Sequence, residues 1–243
     1  MPKKLASMQP YFFPYLGYFS LIKNTDKFII FDPVQFIRHG WIERNRVLKP
    51  EPENDWQYIR VPLASHSSYA NIKDIKIDNS KDWKSKLLKQ LGHYKRKSPF
   101  YNETIRVVEN GLSIDTESIV LLNTNCLKNV CEYLEIPFNY SIFSEMGLNI
   151  DNNILSPDDW ALYTCKAIDG INEYWNPVGG KELYDKEKYA KAGIKLCIQK
   201  MNLRPYPQRR GPENIITGLS IIDVMMFNSP EKIREMLDDY ELI

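Results

Sequence analysis

The sequence predicts an α/β fold of Rossmann-like type, with a mostly parallel sheet, flanking helices and a helix-rich C-terminal half. Two short apolar strands, Lys4–Met8 and Lys27–Phe31, are separated by Leu16–Lys23, a segment with helical apolar spacing. A strand, a helix and a strand in this order form a right-handed crossover between parallel strands. We therefore expect one domain over residues 1–243, with an α/β unit at roughly residues 1–110 that carries the site and a helix-rich remainder packed on it.

The remaining elements follow from apolar periodicity. Further strands are predicted at Trp56–Leu63, Ile72–Ile77, Asn139–Phe143 and Ile194–Gln199, and helices at Trp83–Tyr94, Ile105–Leu112, Ser118–Leu134, Leu219–Phe227 and Glu231–Tyr240. One more helix has a clear start, because Ser156 is a favourable N-cap and Pro157 suits the first helical position. We expect this helix to end near Ile168.

Composition excludes several classes of protein. The chain has 32 basic and 31 acidic residues, a net charge of +1, so no global field attracts a polyanion and nucleic acid is unsupported as a partner. No apolar run approaches the roughly 18 residues of a transmembrane helix. The N-terminal segment lacks the uninterrupted apolar core of a signal peptide, and the four cysteines lack metal-ligand spacing. We therefore predict a cytoplasmic protein with reduced thiols, no transmembrane segment and no metal site.

The loop after the first strand is the first candidate site, because ligands of parallel sheets bind at the carboxyl ends of strands. Its sequence, QPYFFPYLGYF over Gln9–Phe19, combines prolines, aromatic rings and a glycine before a helix. A flat or sugar-like ligand fits such a loop. We predict that Gln9 orients a reacting carbonyl group and that Tyr11, Tyr15, Gly17 and Tyr18 bind substrate. The alternative is an aromatic core plug in which Gly17 permits close packing.

The segment after the second strand is the second candidate site. Its sequence, DPVQFIRHGWIERNR over Asp32–Arg46, is dense in polar and aromatic groups. We predict Asp32 or His39, the histidine of this segment, as the catalytic base. Substrate-binding residues are predicted to be Gln35, Trp41, Arg44, Asn45 and Arg46, with the two arginines on phosphates or a carboxylate and the indole stacked on a base or sugar. The alternative is a solvated loop with surface ion pairs.

The C-terminal half supplies further candidates for substrate binding. These are Gly180 and Lys181 in a short turn, Tyr206 and Gln208 in a proline-broken loop, and Ser220 and Asp223 on one face of an apolar helix. A buried carboxylate at Asp223 needs a partner, either an arginine of the second candidate site or a ligand hydroxyl. The alternatives are a plain turn with a solvated lysine, a surface loop, and an aspartate that braces the fold.

Together, several of these motifs resemble the WbqC-like family over nearly the whole chain. They are QPYFFPYLGYF, the D-x-V-Q-F and W-x-x-R-N-R pieces of Asp32–Arg46, and the terminal Y-P-Q and L-S-I-I-D. Met8 and Tyr15 depart from the histidine and tryptophan that many members carry there, and Asn176-Pro177 replaces a usual Ser-Gly. The opening strand, loop and helix are also similar in layout to HxGH nucleotidylyltransferases, but histidine is missing from both signature positions, which puts ATP use in doubt.

The resemblance implies a cytoplasmic bacterial enzyme of O-antigen or surface-polysaccharide assembly that attaches an aminoacyl or acyl group to the amino group of a dTDP- or UDP-linked amino sugar. It leaves the donor open among a coenzyme A thioester, an acyl carrier protein thioester, an aminoacyl-tRNA and an ATP-activated amino acid. Two other functions remain: a non-catalytic binding partner for a sugar nucleotide or glycan, and a glycosyltransferase. The oligomeric state is not predicted.

Overall fold

A computed structural model describes residues 3–50, 55–148, 156–208 and 211–243. Within these ranges the chain forms a six-stranded sheet and a separate two-stranded hairpin. The strands in chain order are β1 (Lys3–Met8), β2 (Lys27–Ile30), β3 (Arg44–Leu48), β4 (Trp56–Arg60), β5 (Tyr140–Ile142), β6 (Ile171–Pro177), β7 (Lys195–Met201) and β8 (Tyr240–Leu242). Strands β3 and β4 form the hairpin.

The larger sheet has the order β5-β2-β1-β6-β7-β8. Every neighbouring pair is parallel except β7 and β8. The predicted α/β fold with a mostly parallel sheet is therefore confirmed. The neighbouring strands β1 and β2 are flanked by strands from later in the chain, because β5 pairs with β2 and β6 pairs with β1.

Helices cover both faces of this sheet. They are α1 (Leu16–Asn24), α2 (Trp83–Leu91), α3 (Tyr101–Leu112), α4 (Ile119–Tyr133), α5 (Pro157–Ala167), α6 (Lys186–Lys191), α7 (Ile221–Phe227) and α8 (Pro230–Met236). Because side chains alternate along a strand, Ala6 of β1 joins the large core shared with α1, α3, α4 and α7, whereas Leu5 joins a smaller core with α5 and α6. None of these helices has the length and apolar character needed to cross a bilayer.

Helix α5 begins where the local sequence predicts. The hydroxyl of Ser156 accepts a 3.1 Å hydrogen bond from the backbone N–H of Asp159, and Pro157 occupies the first turn. The ammonium group of Lys188 lies 2.6 Å from carboxylate oxygens of both Asp158 and Asp159. These contacts fix the start of α5, which forms one wall of the candidate site.

One predicted strand is absent from the structure. The segment Ile72–Ile77 forms a 3₁₀ turn at Ile72–Asp74 followed by isolated bridges rather than a strand. Its isoleucines at 72, 75 and 77 are all buried, so an irregular segment satisfies the same apolar pattern. Strand β3 (Arg44–Leu48), which overlaps the second candidate site, was not predicted.

Candidate functional site

A cavity of about 860 Å³ opens at the carboxyl ends of β1, β2 and β6. We call it the aromatic cavity. Of the residues predicted to form the site, it is lined by Gln9, Tyr11, Tyr15, Gln35, Trp41, Asn45, Arg46 and Gly180. Both predicted candidate segments therefore contribute to one site, as expected for parallel strands whose carboxyl ends meet at one edge of a sheet.

The loop between β1 and α1 supplies one wall of the aromatic cavity. Its Phe12 and Phe13 are completely buried, so this part of the loop is the core plug considered above. Tyr11 and Tyr15 instead line the cavity. Gly17 permits this arrangement, because a Cβ atom there would lie 2.5 Å from the ring of Tyr15.

The amide of Asn45 holds this loop in place. Its Nδ2 donates hydrogen bonds of 3.0 Å to the carbonyl oxygens of both Phe12 and Phe13. The hydroxyl of Ser220 donates a second hydrogen bond, of 2.7 Å, to the Phe13 carbonyl. Phe13 has a φ of 39°, a left-handed conformation that is unfavourable for a bulky residue. Asn45 and Ser220 thus stabilise the loop from outside it, and Tyr18 adds a 2.9 Å hydrogen bond to the Gln9 carbonyl.

Arg46 is the charged group of the aromatic cavity among the described lining residues. Its guanidinium lies 5.3 Å from the ring centre of Trp41 and 5.2 Å from that of Trp56, within cation–π range. One N–H donates to the carbonyl of Gly218 at 3.3 Å, and the buried Nε has no hydrogen-bond partner. No carboxylate of the described chain pairs with Arg46, so a positive charge is held at the cavity with donor capacity to spare.

Several neutral polar groups also face the aromatic cavity. The side chains of Gln9, Tyr11 and Tyr15 line it and form no hydrogen bonds with the described parts of the protein. Burial raises the pKa of Tyr11 and of Tyr15, so both hydroxyls remain protonated donors at neutral pH. The amide of Gln35 is held in place by a 2.8 Å hydrogen bond to the carbonyl of Ser68.

The opposite wall of the aromatic cavity comes from β6, α5 and the turn after β6. Apart from Gly180, its residues were not predicted from the sequence. The contributing side chains are Trp160, Tyr174, Asn176, Leu183 and Tyr184. The hydroxyls of Tyr174 and Tyr184 are 3.4 Å apart. Asn176 lies at the carboxyl end of β6, so recognition of that strand would have assigned Asn176 to the site. Gly180 is required beside it, since a Cβ atom there would overlap the Asn176 amide.

Asp32 does not line the aromatic cavity. Its side chain is 1% exposed. Ser144 donates to both carboxylate oxygens, with a 3.0 Å hydrogen bond from its backbone N–H and a 2.6 Å hydrogen bond from its hydroxyl. Asp32 thereby fixes the 3₁₀ turn Phe143–Glu145 beside the end of β2. Asp32 therefore has a structural role in this turn, and its position does not support the predicted role as a catalytic base.

His39 and Arg44 are not among the residues that line the aromatic cavity. His39 has a φ of 63° and lines a second cavity of about 690 Å³, between the hairpin and α2. Arg44 donates hydrogen bonds to the carbonyls of His39 and Gly40, and its guanidinium stacks 4.1 Å from the ring centre of Tyr58. Arg44 thus holds the loop rather than facing the aromatic cavity with Arg46.

Asp223 is completely buried, and its carboxylate accepts hydrogen bonds from three side chains of the described residues. They come from the hydroxyls of Tyr94 and Tyr206, each at 2.5 Å, and from the amide of Gln208 at 3.0 Å. The Tyr94 hydroxyl also accepts a 2.8 Å hydrogen bond from the backbone N–H of Leu48 in β3. These three donors are neutral side chains, and the network braces the strand that carries Arg46.

Ser220 and Lys181, the other candidates of the C-terminal half, do not line the aromatic cavity either. Ser220 caps α7, with its hydroxyl 3.2 Å from the N–H of Ile222. Lys181 is exposed and is not part of the described cavity lining. All four cysteines are free and buried, in agreement with the predicted core thiols.

The fold and the site define an α/β protein with a ligand-sized, aromatic cavity at the carboxyl edge of a mostly parallel sheet, and Arg46 is the cation of its described lining. The chain belongs to the WbqC-like protein family, whose model matches residues 9–235. It is also 30% identical over 136 residues to the uncharacterized protein Rv1507c of Mycobacterium tuberculosis. That match covers 55% of this chain and 57% of the relative, so it spans little more than half of either protein. No solved structure matches.

Proposed function

We propose that the protein is a transferase that forms an amide on the amino group of a nucleotide-linked amino sugar in bacterial surface-polysaccharide assembly. One observation carries the proposal. Arg46, stacked between two indole rings and unpaired with any described carboxylate, faces a cavity whose other described lining groups are uncharged. A diphosphate needs such a cation, and a sugar or base needs such rings.

The size and polarity of the aromatic cavity support this assignment. Its volume of about 860 Å³ lies within the roughly 300–1,000 Å³ of small-molecule sites. Pyrophosphate oxygens would accept from Arg46, and the rings of Tyr11, Tyr15 and Trp41 would contact the sugar or base. The amides of Gln9 and Asn176 remain to orient hydroxyl and carbonyl groups.

The same lining favours the chemistry of amide formation. An apolar cavity with a nearby positive charge lowers the pKa of a bound ammonium group, because burial and like charge both disfavour the charged form. The sugar amine is then neutral and nucleophilic at physiological pH. Hydroxyl donors such as Tyr11 and Tyr15 would stabilise the oxyanion that forms as nitrogen attacks an activated acyl carbon. In this scheme orientation and desolvation supply most of the rate enhancement.

Mass spectrometry of reaction mixtures tests the proposal. Purified protein is incubated with a dTDP- or UDP-linked amino sugar and an acyl thioester. We expect a sugar nucleotide heavier by one acyl group, with the nucleotide still attached. Release of free nucleoside diphosphate would instead identify a glycosyltransferase. Absence of N-acylated product with every donor class named above would overturn the transferase proposal.

One observation favours a second candidate, a non-catalytic sugar-nucleotide binding protein. Among the described residues that line the aromatic cavity there is no Asp, Glu, His or Lys side chain to act as a strong base. A binding protein needs none. Its signature would be ligand-induced stabilisation of the protein without turnover by the protein alone.

A further inference from the structure

The second cavity has a different chemical character from the aromatic cavity. We call it the basic cavity, and its charged lining consists of Arg38, Arg60, Lys81 and Lys86 with the carboxylates of Glu43 and Asp82. Both carboxylates already accept from the backbone: Glu43 from the N–H of His39 at 2.8 Å, and Asp82 from the N–H of Ser85 at 3.3 Å. With four cations and two carboxylates, the described lining of this cavity carries a net charge of +2.

The cations of the basic cavity are not neutralised within the protein. Arg38, Arg60 and Lys86 form no ion pair with a carboxylate in the described ranges of the chain. Arg60 is oriented by the ring of Tyr58, whose centre is 4.9 Å from the guanidinium carbon. His66 also lines this cavity, and its buried Nε2 has no hydrogen-bond partner, while Nδ1 lies 2.9 Å from the Ala64 carbonyl. The unpaired guanidinium and ammonium donors of Arg38, Arg60 and Lys86 suit a phosphate group.

A third, smaller cavity adjoins both of these cavities at the segment 35–38. It has a volume of about 270 Å³ and shares Gln35 and Ile37 with the aromatic cavity, and Phe36, Arg38 and His66 with the basic cavity. An elongated ligand can therefore place one end in each cavity. The basic lining is compact, and the whole chain has a net charge of only +1, so a small cluster of phosphates fits better than a long polyanion.

We propose that the basic cavity binds the phosphate end of a phosphopantetheine thioester, which crosses segment 35–38 and presents its acyl carbon in the aromatic cavity. This inference rests on the proposed transferase function and names its donor. The amine nitrogen attacks the thioester carbonyl, so that a C–N bond forms and the C–S bond breaks. The proton released from nitrogen goes to the departing thiolate, which leaves as the free thiol. No oxidant or further co-reactant is required.

Calorimetric titration of the full chain with coenzyme A tests the donor site. The double variant Arg60→Gln, Lys86→Gln should weaken binding roughly tenfold or more, because two charge-assisted contacts are lost. Lys89→Gln is the matched control. It removes a charge from the next turn of α2, outside the lining, and should change the affinity by no more than about twofold. Pantetheine, which lacks phosphate, should not distinguish the double variant from the native protein.

Two further arms identify the source of the phosphopantetheine. If a holo acyl carrier protein binds through Arg60 and Lys86, and its apo form does not, the donor arrives on a carrier. If free coenzyme A binds equally well, the coenzyme itself is the donor. Both results support the inference. The inference is overturned if neither ligand binds, or if the double variant binds coenzyme A with unchanged affinity. It is also overturned if only an oligonucleotide that ends in CCA, as a tRNA does, binds.

The same titrations separate this inference from the proposed function. An amino-sugar nucleotide that binds while every phosphopantetheine probe fails would overturn the donor assignment only. Conversely, coenzyme A could bind through Arg60 and Lys86 while every sugar nucleotide fails to bind. That result would contradict the acceptor proposed for the aromatic cavity and would still support the donor site.

Discussion

The guanidinium of Arg46 lies 5.3 Å from the ring centre of Trp41 at the aromatic cavity. Trp41 is 38% exposed, so this ring contributes little to the core. Its backbone nevertheless anchors the first loop, because the Trp41 carbonyl accepts a 2.8 Å hydrogen bond from the N–H of Phe12. The contact joins the cation and an exposed ring of the candidate site in one unit.

We expect Trp41→Ala to weaken binding of an amino-sugar nucleotide about tenfold, or ~1.4 kcal/mol, with little change in melting temperature. The loss follows from removal of both a stacking surface and one support of Arg46. Isothermal titration and thermal unfolding measure the two effects. Tyr69→Ala is the control, because Tyr69 is 82% exposed and lies outside the aromatic cavity. Equal affinity of native protein and Trp41→Ala would refute a role for this ring.

Asp32 provides a test between catalytic and structural roles. Because Ser144 donates to both its oxygens, Asp32→Asn and Ser144→Ala should each lower the free energy of unfolding by about 1–3 kcal/mol. Neither should reduce kcat strongly below the temperature of unfolding. Denaturant titration and the acylation assay decide the matter. Loss of turnover in Asp32→Asn at unchanged stability would restore the predicted catalytic base.

Removal of the buried acceptor at Asp223 should destabilise the protein. In Asp223→Asn an amide replaces one oxygen that now accepts from a tyrosine hydroxyl, at a cost of about 1–3 kcal/mol in unfolding free energy. Tyr206→Phe, which deletes one donor, should cost about 1 kcal/mol. Urea denaturation measures both. Two variants as stable as the native protein would show that the network contributes no net stability.

The tyrosines of this network predict a loss of stability at high pH. Burial, followed by the charge of Asp223, raises the pKa of Tyr94 and of Tyr206 well above 10.0. Since the folded pKa exceeds the unfolded pKa, their contribution is complete below about pH 10 and is lost as the pH rises further. The free energy of unfolding should therefore fall above this pH, and less steeply in Tyr206→Phe. A flat profile between pH 9 and about 11 would contradict the burial of these hydroxyls.

Local signals predicted much of the fold. The start of α5 follows from Ser156 and Pro157, whose capping contacts need only neighbouring residues. The first crossover follows from apolar spacing, and the rule for strand ends brought two separate segments to one cavity. Strand β6 was missed because Ile171–Pro177 mixes buried aromatic residues with polar ones and ends in Asn-Pro. Its central position in the sheet is a long-range property that the segment does not encode by itself.

The errors within the site have a related cause. Arg44 and Arg46 look equivalent in sequence, yet only Arg46 faces the aromatic cavity, because Arg44 bonds to the loop carbonyls of His39 and Gly40. Asp223 needed a partner, but its tyrosine donors lie 129 and 17 residues away along the chain. Partners of buried polar groups depend on tertiary packing, which residue spacing does not determine.

We propose that the aromatic cavity binds a nucleotide-linked amino sugar through Arg46. Ligand-induced thermal stabilisation tests it most directly, with Arg46→Ala and its strand neighbour Arg44→Ala as a matched pair. At a ligand concentration about 100-fold above Kd, native protein should gain ~2.7 kcal/mol, or roughly 5–10 °C in Tm. We predict that Arg46→Ala loses this shift and that Arg44→Ala retains it. If Arg46→Ala retains the full shift in Tm, Arg46 does not bind the ligand. If native protein shows no shift with any amino-sugar nucleotide, the cavity does not bind this class of ligand.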